Sequence, residues 1–301
     1  MKGLVVALLL VATACSSGPP NGVAAEPSPS PTPAPTETPR AINFPGPDRS
    51  APYRPGVLAR EIRVTEHKLH RAIALWQDAG GRRRSAEGHT VALGALWQQK
   101  LTRRLVARSR ILDRVLGALP ASLRHVVAAR VRAGAGLRAL TSPVTGHPDF
   151  RITPPTPYRE LERFYRAGDD RYAVPAAILA SVNFVETKFG RFMGPSSAGA
   201  KGPMQFMPST WDSYGNGGDI WDPHDSIIAA ARYLHAMGAP GDMDRALYAY
   251  NNSEAYVRAI LIYGRQIANR PDAFYEFYFW QVFVRTKHGD VQLTGPGHDH
   301  L

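Results

Sequence analysis

Apolar side chains recur at intervals of three and four residues between positions 57 and 140, which is the spacing of an α-helix. The pattern predicts three helices. The first ends at Gly80-Gly81, the second is broken by Pro120, and the third runs from Ala121 to Leu140. The apolar stripes predict a mutual core, built around Leu58, Ile62, Leu69, Ile73, Trp76, Trp97, Leu101, Leu105, Leu112, Val115, Leu119, Leu123, Val126, Val127 and Val131.

The second half of the chain is also predicted to be helical, so the fold class is mostly α. Turn residues at 214–224 indicate a small hairpin between two of its helices. The expected helices are Tyr158–Arg166, a helix with Pro175 in its first turn, Ile227–Met237, a helix capped by Asp242 or Asp244 that continues to Tyr250, Tyr256–Ile267 and Ala273–Phe283.

One helix of this half carries a single acid among apolar residues. The run from Ile178 to Val185 is followed by Glu186, and Gly190 stops the segment. Burial beside apolar groups disfavours the charged form of a carboxyl, so the pKa of Glu186 should be raised. A general acid that works near neutral pH requires such a shift. The alternative is an ordinary glutamate on a helix surface.

The chain begins like a bacterial export signal. Lys2 precedes an apolar run of eight residues, 4–11, which is too short to span a bilayer as a helix. The sequence Ala-Thr-Ala-Cys then resembles a lipobox, which predicts cleavage before Cys15 and acylation of its sulfur. The alternative is a secretory signal peptide cleaved near Ala14 or Ala25, which would release the protein.

Residues 16–56 are predicted to be a disordered tether, because twelve prolines alternate there with small polar residues. Residues 141–156 form a second proline-rich segment and are predicted to be a linker. Residues 287–301 are predicted to be a flexible tail. A basic helical region (57–140) and a second helical domain (157–286) are predicted between these segments.

The positive charge is concentrated in the helical region. The chain has a net charge of +11, and residues 57–140 hold 17 Lys and Arg against 5 Asp and Glu, a net of +12. Residues 157–288 hold 14 of each and are neutral. The helical region is therefore expected either to be merely solvated or to attract anionic wall polymers or lipids. Export would exclude nucleic acid as a partner.

Four motifs follow one another in the neutral half: E-T-K-F-G at 186–190, S-S-A-G-A-K-G-P-M-Q-F-M-P-S-T-W at 196–211, D-I-W-D-P at 219–223, and A-Y-N-N-S at 249–253 with Tyr-Val soon after. Together they resemble the catalytic core of peptidoglycan lytic transglycosylases with the lysozyme-like fold, over residues 157–268. The second motif is most similar to the membrane-bound B-type branch. The resemblance implies a lysozyme-like catalytic domain that cleaves glycan strands without hydrolysis.

The resemblance also implies the roles of individual residues. Glu186 would protonate the glycosidic oxygen and afterwards act as the base, and Tyr250 would orient it through a hydrogen bond. The remaining candidates for contact with the substrate are Ser196, Met204, Gln205 and Asn251. Loop or core roles remain open for Ser196, Met204 and Tyr250, and Phe189, Phe206 and Trp211 could equally stack on sugars or pack in the core.

Neither a metal nor another cofactor is expected. The sequence has no D-x-[DN]-x-[DN]-G calcium loop, and Asp219, Asp222 and Asp225 are interpreted as turn and cap residues. Two other functions remain open: a goose-type lysozyme-like hydrolase of the same bond, and an inactive wall-binding scaffold. The predicted location is outside the cytoplasm, on the membrane through the lipid anchor.

Overall fold

A computed structural model describes residues 41–144, 151–196 and 198–298. One compact unit begins at Ile42. The predicted signal segment, Cys15 and most of the predicted tether lie outside the described residues. Among the described helices, none has both the length and the apolar character needed to cross a membrane.

The described residues form eleven α-helices and one antiparallel hairpin, which makes the fold mostly α as predicted. The helices are α1 (Pro55–Asp78), α2 (Ala86–Ala107), α3 (Leu112–Gly117), α4 (Ala121–Ala139), α5 (Tyr158–Tyr172), α6 (Ala176–Thr187), α7 (Pro208–Tyr214), α8 (Pro223–Ala236), α9 (Met243–Tyr250), α10 (Glu254–Asn269) and α11 (Ala273–Tyr278). The strands are β1 (Phe283–Thr286) and β2 (Gly289–Gln292), and Phe283 pairs with Gln292.

The basic helical region differs from the three helices predicted. The second of them ends at Ala107, and a 3₁₀ turn at Ser109–Ile111 leads into the short helix α3. The break allows α3 to pack back against α1, so that Val115 belongs to the same buried cluster as Leu58. A continuous helix would have carried Val115 away from α1, because each residue adds about 1.5 Å along the axis.

The helical region and the catalytic helices share one hydrophobic core, although the sequence analysis placed a boundary between them. Helix α10 packs against α4 on one side and against α6 on another. Trp76 of α1 and Val91 of α2 are buried in the same cluster as Leu179 and Phe184 of α6. The basic region is therefore part of the same compact unit as the helices of residues 157–286.

A buried ion network joins the same two parts. Arg130 of α4 is 1% exposed; its guanidinium contacts Glu66 of α1 at 2.7 Å and Glu276 of α11 at 3.1 Å. Arg270 contacts Glu276 at 2.6 Å and Glu66 at 3.7 Å. Two arginines thus balance two carboxylates that would be costly to bury alone.

The segment before α1 is packed, whereas the predicted tether extended to residue 56. Ile42 and Phe44 lie against the main core, and Ala51 is buried. Phe44 approaches Gly94 of α2 so closely that a Cβ there would come within 2.6 Å of its ring. Apolar residues after position 41 therefore hold this segment on the helices.

The structure also differs from the predictions near the C-terminus. The predicted helix Ala273–Phe283 stops at Tyr278, and the chain then enters the β1–β2 hairpin, which includes part of the predicted flexible tail. The predicted small hairpin at 214–224 is wrong, since those residues form the end of α7, turns and the start of α8.

Candidate active site

Helix α6 ends one residue after Glu186. Lys188, Phe189 and Gly190 all have positive φ, at 53°, 62° and 83°, so the left-handed backbone begins two residues before the glycine that was expected to stop the helix. The amide of Lys188 donates to the carbonyl of Phe184, which closes the last turn. Glu186 therefore lies in the final turn of a buried helix, where its side chain lines a cavity.

The loop that carries the G-P-M-Q motif is fastened to α6. The side chains of Asn183 and Thr187 both donate to the carbonyl of Pro203, at 2.9 and 2.7 Å. Gly202 has a φ of +77°, and a Cβ at this position would lie 1.9 Å from the carbonyl oxygen of Ile220. Only glycine fits at position 202. The adjacent Pro203 is fixed to α6, the helix that carries Glu186, by the two hydrogen bonds above.

Tyr256 is the hydrogen-bond partner of Glu186, and the sequence analysis did not assign it a role. Its hydroxyl donates to Glu186 Oε1 at 2.6 Å. Tyr250, which was expected to make this bond, instead donates to the carbonyl of Met204 at 2.6 Å. Ser253 caps α10 and so places Tyr256 in its first turn. The capping serine and the Tyr-Val that follows A-Y-N-N-S could have indicated from the sequence that Tyr256 lies near the acid.

The two tyrosines lie side by side next to the acid. Their rings are parallel within 5°, with centroids 6.5 Å apart. Burial and the nearby charge of Glu186 raise the pKa of both hydroxyl groups well above the usual value, so both remain protonated donors. The other carboxyl oxygen, Oε2, receives no hydrogen bond from the described residues, which leaves it free for proton transfer.

Burial raises the pKa of Glu186 to about 7, against the opposing effects of the Tyr256 hydrogen bond and the charge of Lys188. The raised pKa predicted from the sequence is therefore found. Burial, together with the charge of Arg103, lowers the pKa of Lys188 to about 7. Its Nζ donates to the carbonyl of Phe184 at 2.9 Å. The carboxyl group can thus hold a proton near neutral pH, as a general acid must.

The cavity beside Glu186 has a volume of about 950 Å³ and is lined from several parts of the fold. Glu186, Lys188 and Tyr256 lie on one part of its lining. Further lining residues come from α2, α4, the segment after α4, α10 and the chain from Trp280 through the β1–β2 hairpin, and they include Arg103 and Asp290. The basic region that the sequence analysis treated separately therefore forms part of the wall of the candidate site.

Of the residues predicted to contact the substrate, Asn251 lies at the cavity and Met204 lies in the core. Asn251 is exposed and lines the cavity together with Glu186. Met204 is fully buried, so its side chain is part of the core, and its carbonyl accepts the bond from Tyr250.

Ser196 and Gln205 stabilise the loops around the site in this structure. Ser196 Oγ accepts hydrogen bonds from the amides of Ala198 and Ala200, at 3.2 and 3.0 Å. Gln205 Nε2 donates to the carbonyls of Gly194 and Gly202 at 3.3 and 3.0 Å. Their direct contact with a substrate stays a prediction.

Phe189 and Phe206 are buried at 0% and 3% exposure, which favours the core alternative over sugar stacking. Of the three aspartates near α8, Asp222 caps the helix, whereas Asp219 and Asp225 accept hydrogen bonds from amides of the preceding turn. Asp222 accepts from the amide of Asp225, and Asp225 accepts from the amide of Asp219. Asp222, His224 and Asp225 lie close enough together to resemble a metal cluster, and His224 Nδ1 is within 3.1 Å of Asp225 Oδ1.

Residues 164–266 match the family model described as Transglycosylase SLT domain. No curated protein and no solved structure gave a significant match to the chain. The matched segment runs from α5 to α10 and contains Glu186, Tyr250 and Tyr256. The SLT domain supports a lytic transglycosylase, lysozyme-like family and, in general terms, lytic transglycosylase activity on peptidoglycan glycan strands.

Tyr256→Phe tests the hydrogen bond to the acid. The bond favours the charged carboxylate, so its loss should move the pKa of Glu186 upward and shift the alkaline limb of the pH–rate profile in the same direction. We expect kcat to fall by about ten- to a hundredfold, the range for loss of a hydrogen bond to a charged group. The control is Tyr250→Phe, whose hydroxyl contacts Met204 and which should leave that limb in place. Equal shifts in the two variants would contradict the assignment.

Proposed function

We propose that the protein is a lytic transglycosylase that cleaves the β-1,4 bond between N-acetylmuramic acid and N-acetylglucosamine and leaves a 1,6-anhydromuramoyl end. The observation that carries the proposal is the single available carboxyl group in the cavity. Glu186 has a raised pKa and one open oxygen. The cavity's other carboxylate among the described residues is Asp290, whose two oxygens are each bound by an arginine, Arg138 and Arg103, at 2.7 Å.

A hydrolytic glycosidase normally needs a second carboxylate, either as nucleophile or as the base that activates water. Asp290 is poorly suited to both roles. Its two arginine partners hold the pKa of its carboxyl below the usual range, and they occupy both oxygens. A mechanism in which one residue serves as acid and then as base fits this arrangement better.

In the proposed reaction, Glu186 donates its proton to the glycosidic oxygen as the bond from that oxygen to the muramoyl C1 breaks. The acetamido group of the substrate stabilises the positive charge that develops at C1. The Glu186 carboxylate then takes the proton of the muramoyl C6 hydroxyl, and O6 bonds to C1. The proton given at the first step is recovered at the second, so no water is consumed.

The experiment is mass spectrometry of the fragments released from purified peptidoglycan. The proposed reaction gives muramoyl ends that are lighter than the hydrolytic product by one water and that have no reducing end. Release of reducing muramoyl ends would favour a goose-type lysozyme-like hydrolase, and no release at all would favour an inactive wall-binding scaffold.

We further propose that the enzyme belongs to the membrane-bound B-type branch and acts in cell-wall remodelling, held outside the cytoplasm by a lipid on Cys15. The second motif (196–211) supports the branch, and the lipobox-like residues before Cys15 support the anchor. Two or more acyl chains would give stable attachment to a membrane. Cys15→Ala should release the catalytic unit from the membrane fraction or block its processing. Tight membrane association of an exported variant would contradict the anchor.

A further inference from the structure

Three arginines from outside the matched segment line the cavity that contains Glu186. We call them the arginine wall: Arg103 of α2, Arg138 of α4 and Arg285 of β1. Asp290 of β2 lies among them and pairs with Arg103 and Arg138. Three guanidinium groups face one carboxylate, so this part of the lining carries two positive charges in excess.

Contacts within the protein hold the arginine wall in place but do not use all of its hydrogen-bond donors. The Arg103 guanidinium lies 4.4 Å from the centroid of the Phe283 ring, and its Nε is buried without a hydrogen-bond partner. Arg285 donates to the carbonyls of Thr141 and Arg138, at 3.0 and 3.4 Å, and has no acidic partner among the described residues.

The wall is also accessible. The side chains of Arg103 and Arg138 each retain 28% of their exposure, and Arg285 is partly exposed. A planar guanidinium binds carboxylate groups through two parallel hydrogen bonds, and such charge-assisted bonds are stronger than neutral ones. An excess of fixed, reachable arginines therefore suits an anionic group of the ligand rather than a neutral sugar.

The proposed substrate has such a group close to the bond that is cut. The sugars of the glycan strand are uncharged, but the lactyl group of each muramoyl residue carries a stem peptide with free carboxylates. The cavity, at about 950 Å³, lies at the upper end of the range for small-molecule sites and has room for a branch beside the sugars. The muramoyl residue whose C1 reacts at Glu186 would bring its peptide into this same cavity.

We propose that the arginine wall binds a carboxylate of the stem peptide on the muramoyl residue, so that the enzyme prefers peptide-bearing strands. This inference rests on the proposed function. It assigns a recognition role to the basic helices and to the C-terminal hairpin, both of which lie outside residues 164–266.

The first test compares glycan strands that bear stem peptides with the same strands whose peptide carboxylates have been converted to amides, because removal of the peptides by an amidase would leave a lactyl carboxylate in their place. The wild-type full chain should show a higher kcat/KM on the strands with free peptide carboxylates. Arg285→Gln should lower that preference by about tenfold, as expected for loss of one charge-assisted contact. The control Arg265→Gln removes an exposed arginine of α10 and should keep the wild-type preference. An unchanged preference in Arg285→Gln would overturn the proposal.

The second test uses the unaltered protein and does not depend on folding of a variant. A soluble stem peptide should compete with peptide-bearing strands, and the same peptide with its carboxylates amidated should not. Equal competition by the two peptides would overturn the proposal, as would stronger competition by inorganic phosphate, which would indicate a phosphate site. Binding of both strands to the Glu186→Gln protein provides a readout without catalysis. If the wild-type protein cleaves neither strand, the proposed function fails, whereas the binding preference still tests the arginine wall.

Discussion

Glu186→Gln should abolish cleavage of the glycan while leaving the fold intact. The amide has nearly the shape of the carboxyl but cannot donate a proton to the leaving oxygen or take one from the C6 hydroxyl. Because one residue serves as both acid and base in the proposed mechanism, we expect a loss of at least about 10²–10⁴ in kcat. Release of soluble fragments from purified peptidoglycan measures the loss.

The matched control is Glu254→Gln, an exposed glutamate of α10 that pairs with Arg258 at 3.6 Å. It should retain the wild-type rate. Digestion of peptidoglycan by Glu186→Gln at a rate near that of the control would remove Glu186 from the role of general acid.

The same substitution should alter how stability depends on pH. The pKa of Glu186 is about 7 in the folded protein and near 4.5 in the unfolded chain. Below pH 4.5 the side chain is protonated in both the folded and the unfolded state, so it costs no stability. As the pH rises through 7, the folded protein must bury a charged carboxylate, and that stability is lost. Relative to wild type, Glu186→Gln should therefore gain stability between pH 4.5 and 7, by up to about 3 kcal/mol. A constant difference in Tm across this range would contradict the buried charge.

Arg130→Met should strongly destabilise the whole compact unit. The substitution leaves the buried carboxylates of Glu66 and Glu276 with Arg270 as their one ion-pair partner among the described residues. It also removes the side chain that connects α1, α4 and α11. Removing one partner of a buried ion pair typically costs about 3–5 kcal/mol. At roughly 2–4 °C per kcal/mol, we expect Tm to fall by on the order of 10 °C.

The control for this prediction lies two residues away on the same helix. Arg132 is exposed, and Arg132→Met should change Tm little. Thermal unfolding followed by circular dichroism compares the two variants. A second, independent transition for the helical region in either variant would show that it unfolds separately from the catalytic helices, contrary to the shared core.

The helical character of the chain could be predicted because it depends on neighbours in sequence. The apolar spacing located α1, α2 and α4, and the expected cap at Asp242 accepts a hydrogen bond from the amide of Arg245 at 3.0 Å. Errors arose where tertiary packing overrode the local pattern. The periodicity of 97–119 is compatible with one long helix, but the buried cluster shared by α1 and α3 favours a break after Ala107.

The candidate site was predicted only in part, for the same reason. Glu186 was recognisable because one acid in an apolar helix is unusual and its pKa follows from burial. Its partner was misassigned to Tyr250, because both tyrosines lie close to the acid and only the direction of each hydroxyl separates them. Tyr256 donates to Glu186 and Tyr250 to Met204, across 70 and 46 residues of sequence.

The sequence by itself determined the helical fold class, the position of the acid at the end of a buried helix, and the motifs within the segment that matches the SLT domain model. Each of these depends on spacing within a short segment. The tertiary structure decided that the basic helices share the core of the catalytic helices, that Tyr256 bonds to Glu186, and that Arg103, Arg138 and Arg285 meet around Asp290. These contacts join residues up to 187 positions apart. Their distances depend on how α2, α4, α10 and the hairpin pack together, which no local pattern of apolar and polar residues specifies.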